Sequence, residues 1–292
     1  DFVILEVGLG GRLDATNVII PQVSIITNIS LEHTAVLGNT VEEIAVEKAG
    51  VIKQGIPVVC GVMDEKALST IKNIAEERHA PLHTVTHTAE YGLYPYKLSD
   101  IHLSLPGAHQ LQNAACAVLA AEVLEEQGVK INHTQIPYAL AHTCWPGRLQ
   151  VIEQKPLIIV DGAHNPAGAR VLRQAINDCF TYDQLILVLG ILDDKDQTVM
   201  MRELIADNQR LKLLILTKPE TIRAFPPDKL VEEADKYHVP AMVCDNIPTA
   251  ITHAIKTAND NDMICLAGSL YVAAEALLWF DNHLMCNQKD VE

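Results

Sequence analysis

The chain alternates between short apolar runs, many of them β-branched, and longer stretches in which apolar positions recur every three or four residues. The first pattern fits strands buried on both faces and the second fits helices lying over them. Together they predict a parallel sheet wrapped by helices. In the first half the apolar runs predict strands at Phe2–Val7, Val23–Asn28 and Pro57–Val62. Thr40 with Glu43 reads as a capping box opening a helix that stops at Gly50. Asp64 caps a helix reaching Arg78, and Gln110–Gln127 forms an alanine-rich helix stopped by Gly128. The segment Cys144-Trp-Pro-Gly-Arg148 breaks this rhythm, and a second series begins after it. Its strands fall at Leu157–Val160, Leu185–Leu189, Leu211–Leu216, Ala241–Cys244 and Met263–Ala267, which is the pattern of a second doubly wound domain. The boundary is therefore expected between 1–144 and 145–292.

With 292 residues, 49% of them hydrophobic, the chain can bury two cores of ordinary size. Its 22 basic against 37 acidic residues leave a formal charge of −15, which argues against a nucleic-acid partner and for a small molecule. The seven cysteines are scattered, odd in number and without a C-x-x-C pair, so they read as reduced thiols of a cytoplasmic protein. The apolar runs are strand-sized, too short to span a bilayer, and no secretory leader is visible. The chain opens on Asp1 at the edge of an expected strand with no methionine before Met63, so the natural start is expected further upstream.

Candidate chemistry clusters at strand ends. Glu6 is carried by the first apolar run to the glycine-rich stretch Gly8-Leu-Gly-Gly-Arg-Leu-Asp14, where a carboxylate can hold a metal beside a phosphate, or face solvent, or pair with Arg12. His33 follows the second strand and could share that metal, although a lone histidine is more often an ordinary loop residue. Lys48 lies in the last turn of the capped helix, where a solvated lysine also suits the helix dipole. Asp161 ends a strand and precedes Gly162-Ala-His-Asn-Pro166; it could accept from ribose hydroxyls or merely shape the turn, with His164 beside it. Arg148 at the domain boundary offers a planar fork to phosphate, Asn113 could read a base edge or face water, and Ser269 reads first as a helix cap and second as an anion contact.

The order and spacing of these segments closely resemble the folylpolyglutamate synthase and dihydrofolate synthase family of the Mur ligase superfamily. The resemblance rests on Leu5 to Asn17, Glu32-His-Thr34 with Glu47-Lys-Ala-Gly50, His109 to Ala114, Pro146-Gly-Arg148, Asp161 to Pro166, and Gly190 through Asp196. It implies an α/β protein, a truncated Mur-ligase-type ATP-binding domain followed by a Rossmann-like doubly wound domain. It also implies ligation of L-glutamate to a folate or dihydropteroate carboxylate through an acyl phosphate made from ATP. By the same matching, Glu6, His33 and a carbamylated Lys48 bind Mg²⁺, with Mn²⁺ as the alternative and K⁺ as a further ion. Asn113, Arg148 and Asp161 contact ATP, Leu13, Asp14 and Ala15 contact the pterin substrate, Ser269 contacts substrate, and His164 with Lys48 is catalytic. The expected state is a cytoplasmic monomer with no nucleic-acid or membrane partner.

Two departures stand out. Glu32 occupies a position where many relatives carry aspartate. No G-x-x-x-x-G-K-[ST] phosphate loop occurs in these residues, so poor ATP turnover by this polypeptide alone is expected. A dinucleotide-dependent oxidoreductase is a rival, but the G-x-G-x-x-G fingerprint fails at Leu13. A non-catalytic ligand-binding remnant is the other alternative.

Overall fold

The computed structural model describes residues 2–88, 92–94 and 102–289. The chain forms two compact units, one of Asp1–Ser104 with Ala108–Thr143 and one of Leu105–Gly107 with Cys144–Glu292.

In the first unit, β1 (Ser24–Ile26) is followed by α1 (Thr34–Leu37), α2 (Val41–Lys48), β2 (Val58–Cys60), α3 (Glu65–Glu77) and β3 (Leu82–Thr84). The ribbon β4 (Thr86–Thr88) and β5 (Gly92–Tyr94) and the helices α4 (Ala108–Glu126) and α5 (Gln135–His142) complete it. The strands β1, β2 and β3 lie side by side, all parallel. The central strand β2 explains its own sequence. Val58 and Cys60 join one core with Ile26, Ile44 and Ile71, while Val59 faces a second core with Cys116, Leu119 and Val123. A strand covered on both faces reads as an unbroken apolar run rather than an alternation.

Both caps predicted for this unit form. Thr40 Oγ1 accepts from the Glu43 backbone N–H at 3.2 Å while the Glu43 carboxylate accepts from the Thr40 N–H at 3.3 Å. Asp64 accepts from the Lys66 and Ala67 N–H groups at the start of α3. The run expected as a strand at Phe2–Val7 does not form one. Phe2, Val3 and Ile4 are 61–93% exposed, and among the described residues no strand pairs with them. An extended segment is held only by ladder hydrogen bonds and by a covered face; without either, β-branched composition does not offset the lost conformational entropy.

The second unit contains β6 (Gln150–Gln154), β7 (Leu157–Val160), α6 (Pro166–Cys179), β8 (Leu185–Leu189), α7 (Gln197–Ile205), β9 (Leu211–Leu216), α8 (Asp228–Asp235), β10 (Ala241–Val243), α9 (Ile247–Thr257), β11 (Met263–Ala267) and α10 (Leu270–Lys289). The sheet order is β10-β9-β8-β11-β7-β6, parallel except for β6, which runs antiparallel to β7. Along β8, Leu185, Leu187 and Leu189 enter one core while Ile186 and Val188 enter the other. At ~1.5–3 kcal/mol for each fully buried aliphatic side chain, such a strand anchors the unit. Because β11 lies between β7 and β8, the winding direction reverses there, and the loops after those strands share one edge of the sheet. In open α/β sheets that edge is where ligands sit.

Candidate functional site

In the first unit the glycine-rich stretch and the end of α2 are built as one object. Arg12 N–H donates to the Glu47 carbonyl at 2.9 Å, and its guanidinium meets the Glu47 carboxylate through Nε at 3.1 Å and Nη2 at 2.9 Å. Asn17 Nδ2 donates to the carbonyls of Arg12 and Gly50, both at 3.1 Å, and Lys53 Nζ donates to the Asn17 carbonyl at 2.7 Å. The approach is close enough to demand glycine. A Cβ on Gly11 would lie 2.8 Å from the Lys48 carbonyl oxygen, and one on Gly50 would lie 2.3 Å from the Arg12 Cα. The last carbonyls of a helix lack partners within it, and here the loop supplies donors to the Glu47 carbonyl at the end of α2 and to the Gly50 carbonyl just beyond it. Arg12 thus belongs to Glu47 rather than to Glu6, which is exposed ahead of the loop.

Within the loop, Asp14 is turned inward and Leu13 outward. Asp14 Oδ2 accepts from the Gly8 and Leu9 N–H groups at 3.0 and 3.1 Å, and Oδ1 accepts from the Thr16 N–H at 2.9 Å and the Thr16 hydroxyl at 2.6 Å. The Thr16 hydroxyl first, then the backbone donors, hold its carboxyl down to about 2. Leu13 is 80% exposed, and Ala15 beside it is exposed as well.

Lys48 emerges from the same helix end and its Nζ pairs with Glu32 Oε1 at 3.1 Å, both side chains being largely buried. The loop after β1 thereby comes to Lys48. Its next residue, His33, is exposed, takes φ +51°, and caps α1 through its backbone alone, its carbonyl accepting from Val36 and Leu37. Non-glycine residues seldom take that conformation, and histidine is among those that tolerate it. Glu32, which the sequence marked only as a departure, is the residue that links this loop to Lys48. As a fit to a divalent cation the arrangement falls short. An ammonium has three donors and no lone pair, Lys48 is committed to Glu32, and among the described residues no group of three or more His, Cys, Asp or Glu converges. Asn113, on α4, is exposed and donates to Gln110 Oε1 at 3.0 Å.

In the second unit the loop after β7 is laced to the segment that begins the unit. Asp161, 9% exposed, accepts from the Leu149 N–H through Oδ2 at 2.9 Å and from the Ala163 N–H through Oδ1 at 2.8 Å. Gly162 N–H donates to the Gly147 carbonyl at 2.7 Å. Arg148 is held between these bonds, its Nη1 2.8 Å from where a Gly162 Cβ would stand. His164 Nδ1 lies 2.8 Å from the Gly162 carbonyl oxygen. A carbonyl only accepts, so this bond places a proton on Nδ1. The cap of α6 is Asn165, whose Oδ1 accepts from Gly168 N–H at 2.7 Å, with Pro166 in the first turn. Ser269, fully buried, accepts from the Val272 N–H at 3.1 Å and so caps α10.

The same sheet edge carries a charged cluster for which the sequence reading assigned no role. Asp194 pairs with Lys195 at 3.0 Å and with Arg223 at 2.9 Å, and those partners hold its carboxyl below the usual carboxylate range against the opposing effect of burial. The sequence signal was available as the charge-dense stretch Asp193 to Asp196 directly after the buried strand β8.

Comparison with known proteins covers both units. Residues 1–121 match the Mur ligase middle domain, and residues 147–270 match the Mur ligase glutamate ligase domain. The chain is 40% identical over 220 residues to the dihydrofolate synthase/folylpolyglutamate synthase of Bacillus subtilis, covering 70% of this chain and 51% of that protein. It is 31% identical over 300 residues to a probable dihydrofolate synthetase of Schizosaccharomyces pombe, covering 93% of this chain and 69% of that protein. Among solved structures it superposes on Escherichia coli FolC in complex with DHPP and ADP with a TM-score of 0.83 at 28% identity, covering 95% of this chain and 66% of that one. A Yersinia pestis folylpolyglutamate synthase/dihydrofolate synthase complexed with AMPPNP and Mn gives a TM-score of 0.78 at 30% identity, covering 94% and 65%. The chain thus spans about half to two thirds of the length of these relatives. It belongs to the folylpolyglutamate synthase and dihydrofolate synthase family of Mur ligases.

Proposed function

We propose that these residues serve ATP-dependent ligation of L-glutamate to a folate or dihydropteroate carboxylate through an acyl phosphate. The observation that carries the reading is the homology along more than nine tenths of the chain to a probable dihydrofolate synthetase. The built loops at the strand ends of both units support it. In the first step a carboxylate oxygen of the pterin substrate attacks the γ-phosphorus of ATP and ADP leaves. In the second the glutamate nitrogen attacks the acyl carbon and inorganic phosphate leaves. Positioning and electrostatic stabilisation are the protein's contribution to such transfers.

Each loop has a part. Leu13, Asp14 and Ala15 form the pterin side, with exposed Leu13 offering an apolar surface and Asp14 holding the loop in shape. Arg148 gives its fork to the nucleotide phosphates, and Asp161 contributes to the nucleotide site by fixing the Leu149 backbone that follows that arginine, while the Gly162 N–H holds the Gly147 carbonyl before it. Asn113 is assigned to the adenine edge. His164, oriented by its Nδ1 contact to the Gly162 carbonyl, would in its neutral form accept a proton at Nε2 from the incoming ammonium, and Ser269 fixes the start of α10 at the glutamate side.

Mg²⁺, or Mn²⁺ in its place, is the ion assigned to Glu6, His33 and Lys48, and it would neutralise phosphate charge when bound. That assignment requires Lys48 to exchange its ammonium for a carbamate, which supplies oxygen donors and releases Glu32. The decisive experiment incubates the chain with ATP, Mg²⁺, L-glutamate and dihydropteroate and follows ADP together with the mass of the product. The expected outcome is binding of ADP and dihydropteroate with only slow formation of dihydrofolate, at one ADP per amide, since these residues carry no phosphate loop. ADP release without the amide, or binding of none of the substrates, would remove the reading.

A further inference from the structure

We propose that Arg12 and Glu47 are positioning residues for the pterin substrate: their bidentate pair sets the register of the loop carrying Leu13, Asp14 and Ala15 against the turn of α2 that carries Lys48. The inference rests on the reading of that loop as the substrate side.

Four independent contacts converge on this register. The guanidinium lies along the carboxylate with two nitrogens within 3.2 Å, a planar match that lysine cannot reproduce. The Arg12 backbone N–H caps the Glu47 carbonyl, so main chain and side chain of one residue both hold the other. Asn17 Nδ2 bridges the carbonyls of Arg12 and Gly50, closing the contact from the far side of the loop. Gly11 and Gly50 leave no room for a side chain between the two segments. The pair is half exposed on the arginine side, where an ion pair contributes little to stability, and such a bond earns its place through geometry. Asp14 fixes the inside of the loop but bonds only to residues of the loop itself, so it cannot fix where the loop stands relative to Lys48. The Arg12–Glu47 pair can.

The test uses the 292-residue chain, the variants Arg12→Lys and Glu47→Gln, and the reversed double variant Arg12→Glu/Glu47→Arg, titrated calorimetrically with dihydropteroate and separately with ADP. Both single variants should weaken dihydropteroate binding roughly tenfold or more, a loss of about 1.4 kcal/mol or more. The reversed pair should recover most of the loss, and ADP affinity should stay unchanged throughout. Thermal melts followed by circular dichroism show that each variant is folded, and Arg12→Lys, which keeps charge and length, guards against a collapsed variant. Single variants that bind dihydropteroate within about twofold of the parent chain, the noise of additive effects, would overturn the inference while leaving the substrate reading intact. A parent chain that binds ADP but no dihydropteroate would sink the substrate reading, and the inference with it.

Discussion

The loop of Asp14 and the loop of Asp161 solve the same problem in two different ways. Each follows an apolar run, each contains an aspartate that the sequence offers as a ligand contact, and each spends both carboxylate oxygens on hydrogen bonds from its own unit. The difference is the support beneath. Asp161 is buried above a six-stranded sheet covered on both faces, whereas Asp14 is part of an exposed loop beside a three-stranded sheet whose edge strand leaves Ile25 41% exposed. In the second unit packing fixes the loop; in the first, discrete polar contacts must. That is why bidentate pairing, an asparagine bridge and two obligatory glycines gather around Arg12.

The contrast is broken most forcefully in the cores. Leu187→Ala, in the middle of β8, should destabilise the second unit by roughly 2–5 kcal/mol, while Ile25→Ala at the half-open edge of β1 should cost under about 1 kcal/mol. Urea denaturation with a probe in each unit checks both; equal losses would mean that the two sheets are equally well packed. Next in size is Asp161→Ala. It strands the Leu149 and Ala163 N–H groups without their charged acceptor, for a loss of about 3 kcal/mol from the second unit. ADP affinity should fall with it as Arg148 loses its seat, and retention of full affinity would show that Arg148 is held by other means.

How far the sequence revealed this follows from the same physics. The strands of the second unit were legible almost to the residue because they are dominated by apolar runs, those of β8 and β11 buried throughout, and helix starts such as Thr40, Asp64 and Pro166 were legible because the chemistry of a helix N-terminus is local. The edge strand β6 was not, since Gln150, Glu153 and Gln154 dilute its apolar pattern. Phe2–Val7 misled for the opposite reason: strand composition is local, but pairing is not. Lys48, Asp14 and Asp161 could be marked as chemistry, yet their partners Glu32, Thr16 and Leu149 could not, because only folding shows which donor a carboxylate meets.

A smaller effect tests Lys48. Replacing Glu32 by glutamine removes the partner of a largely buried ammonium, and should cost about 1 kcal/mol, toward the upper end for ion pairs that retain some exposure. The readout is the melting temperature of the first unit. If Glu32→Gln is neutral or stabilising, the pair is not holding the loop after β1 to α2.

The mildest perturbation is pH, and it reports on the Asp14 loop. The Asp14 carboxyl is held at about 2, below its ordinary value of 3.8, so its ionised form is favoured in the folded loop. A depressed carboxyl stabilises fully above the unfolded value, and that contribution disappears as pH falls through the folded one. Between pH 7 and pH 4 the Gly8 and Leu9 amides should therefore keep constant nuclear magnetic resonance shifts, and they should move together with a midpoint near pH 2 as Oδ2 loses its charge. A midpoint near 4 would mean that the four donors around Asp14 do not hold in solution. The loop would then owe its shape to the Arg12–Glu47 pair and the Asn17 bridge, and the two units would differ even more than their structures imply.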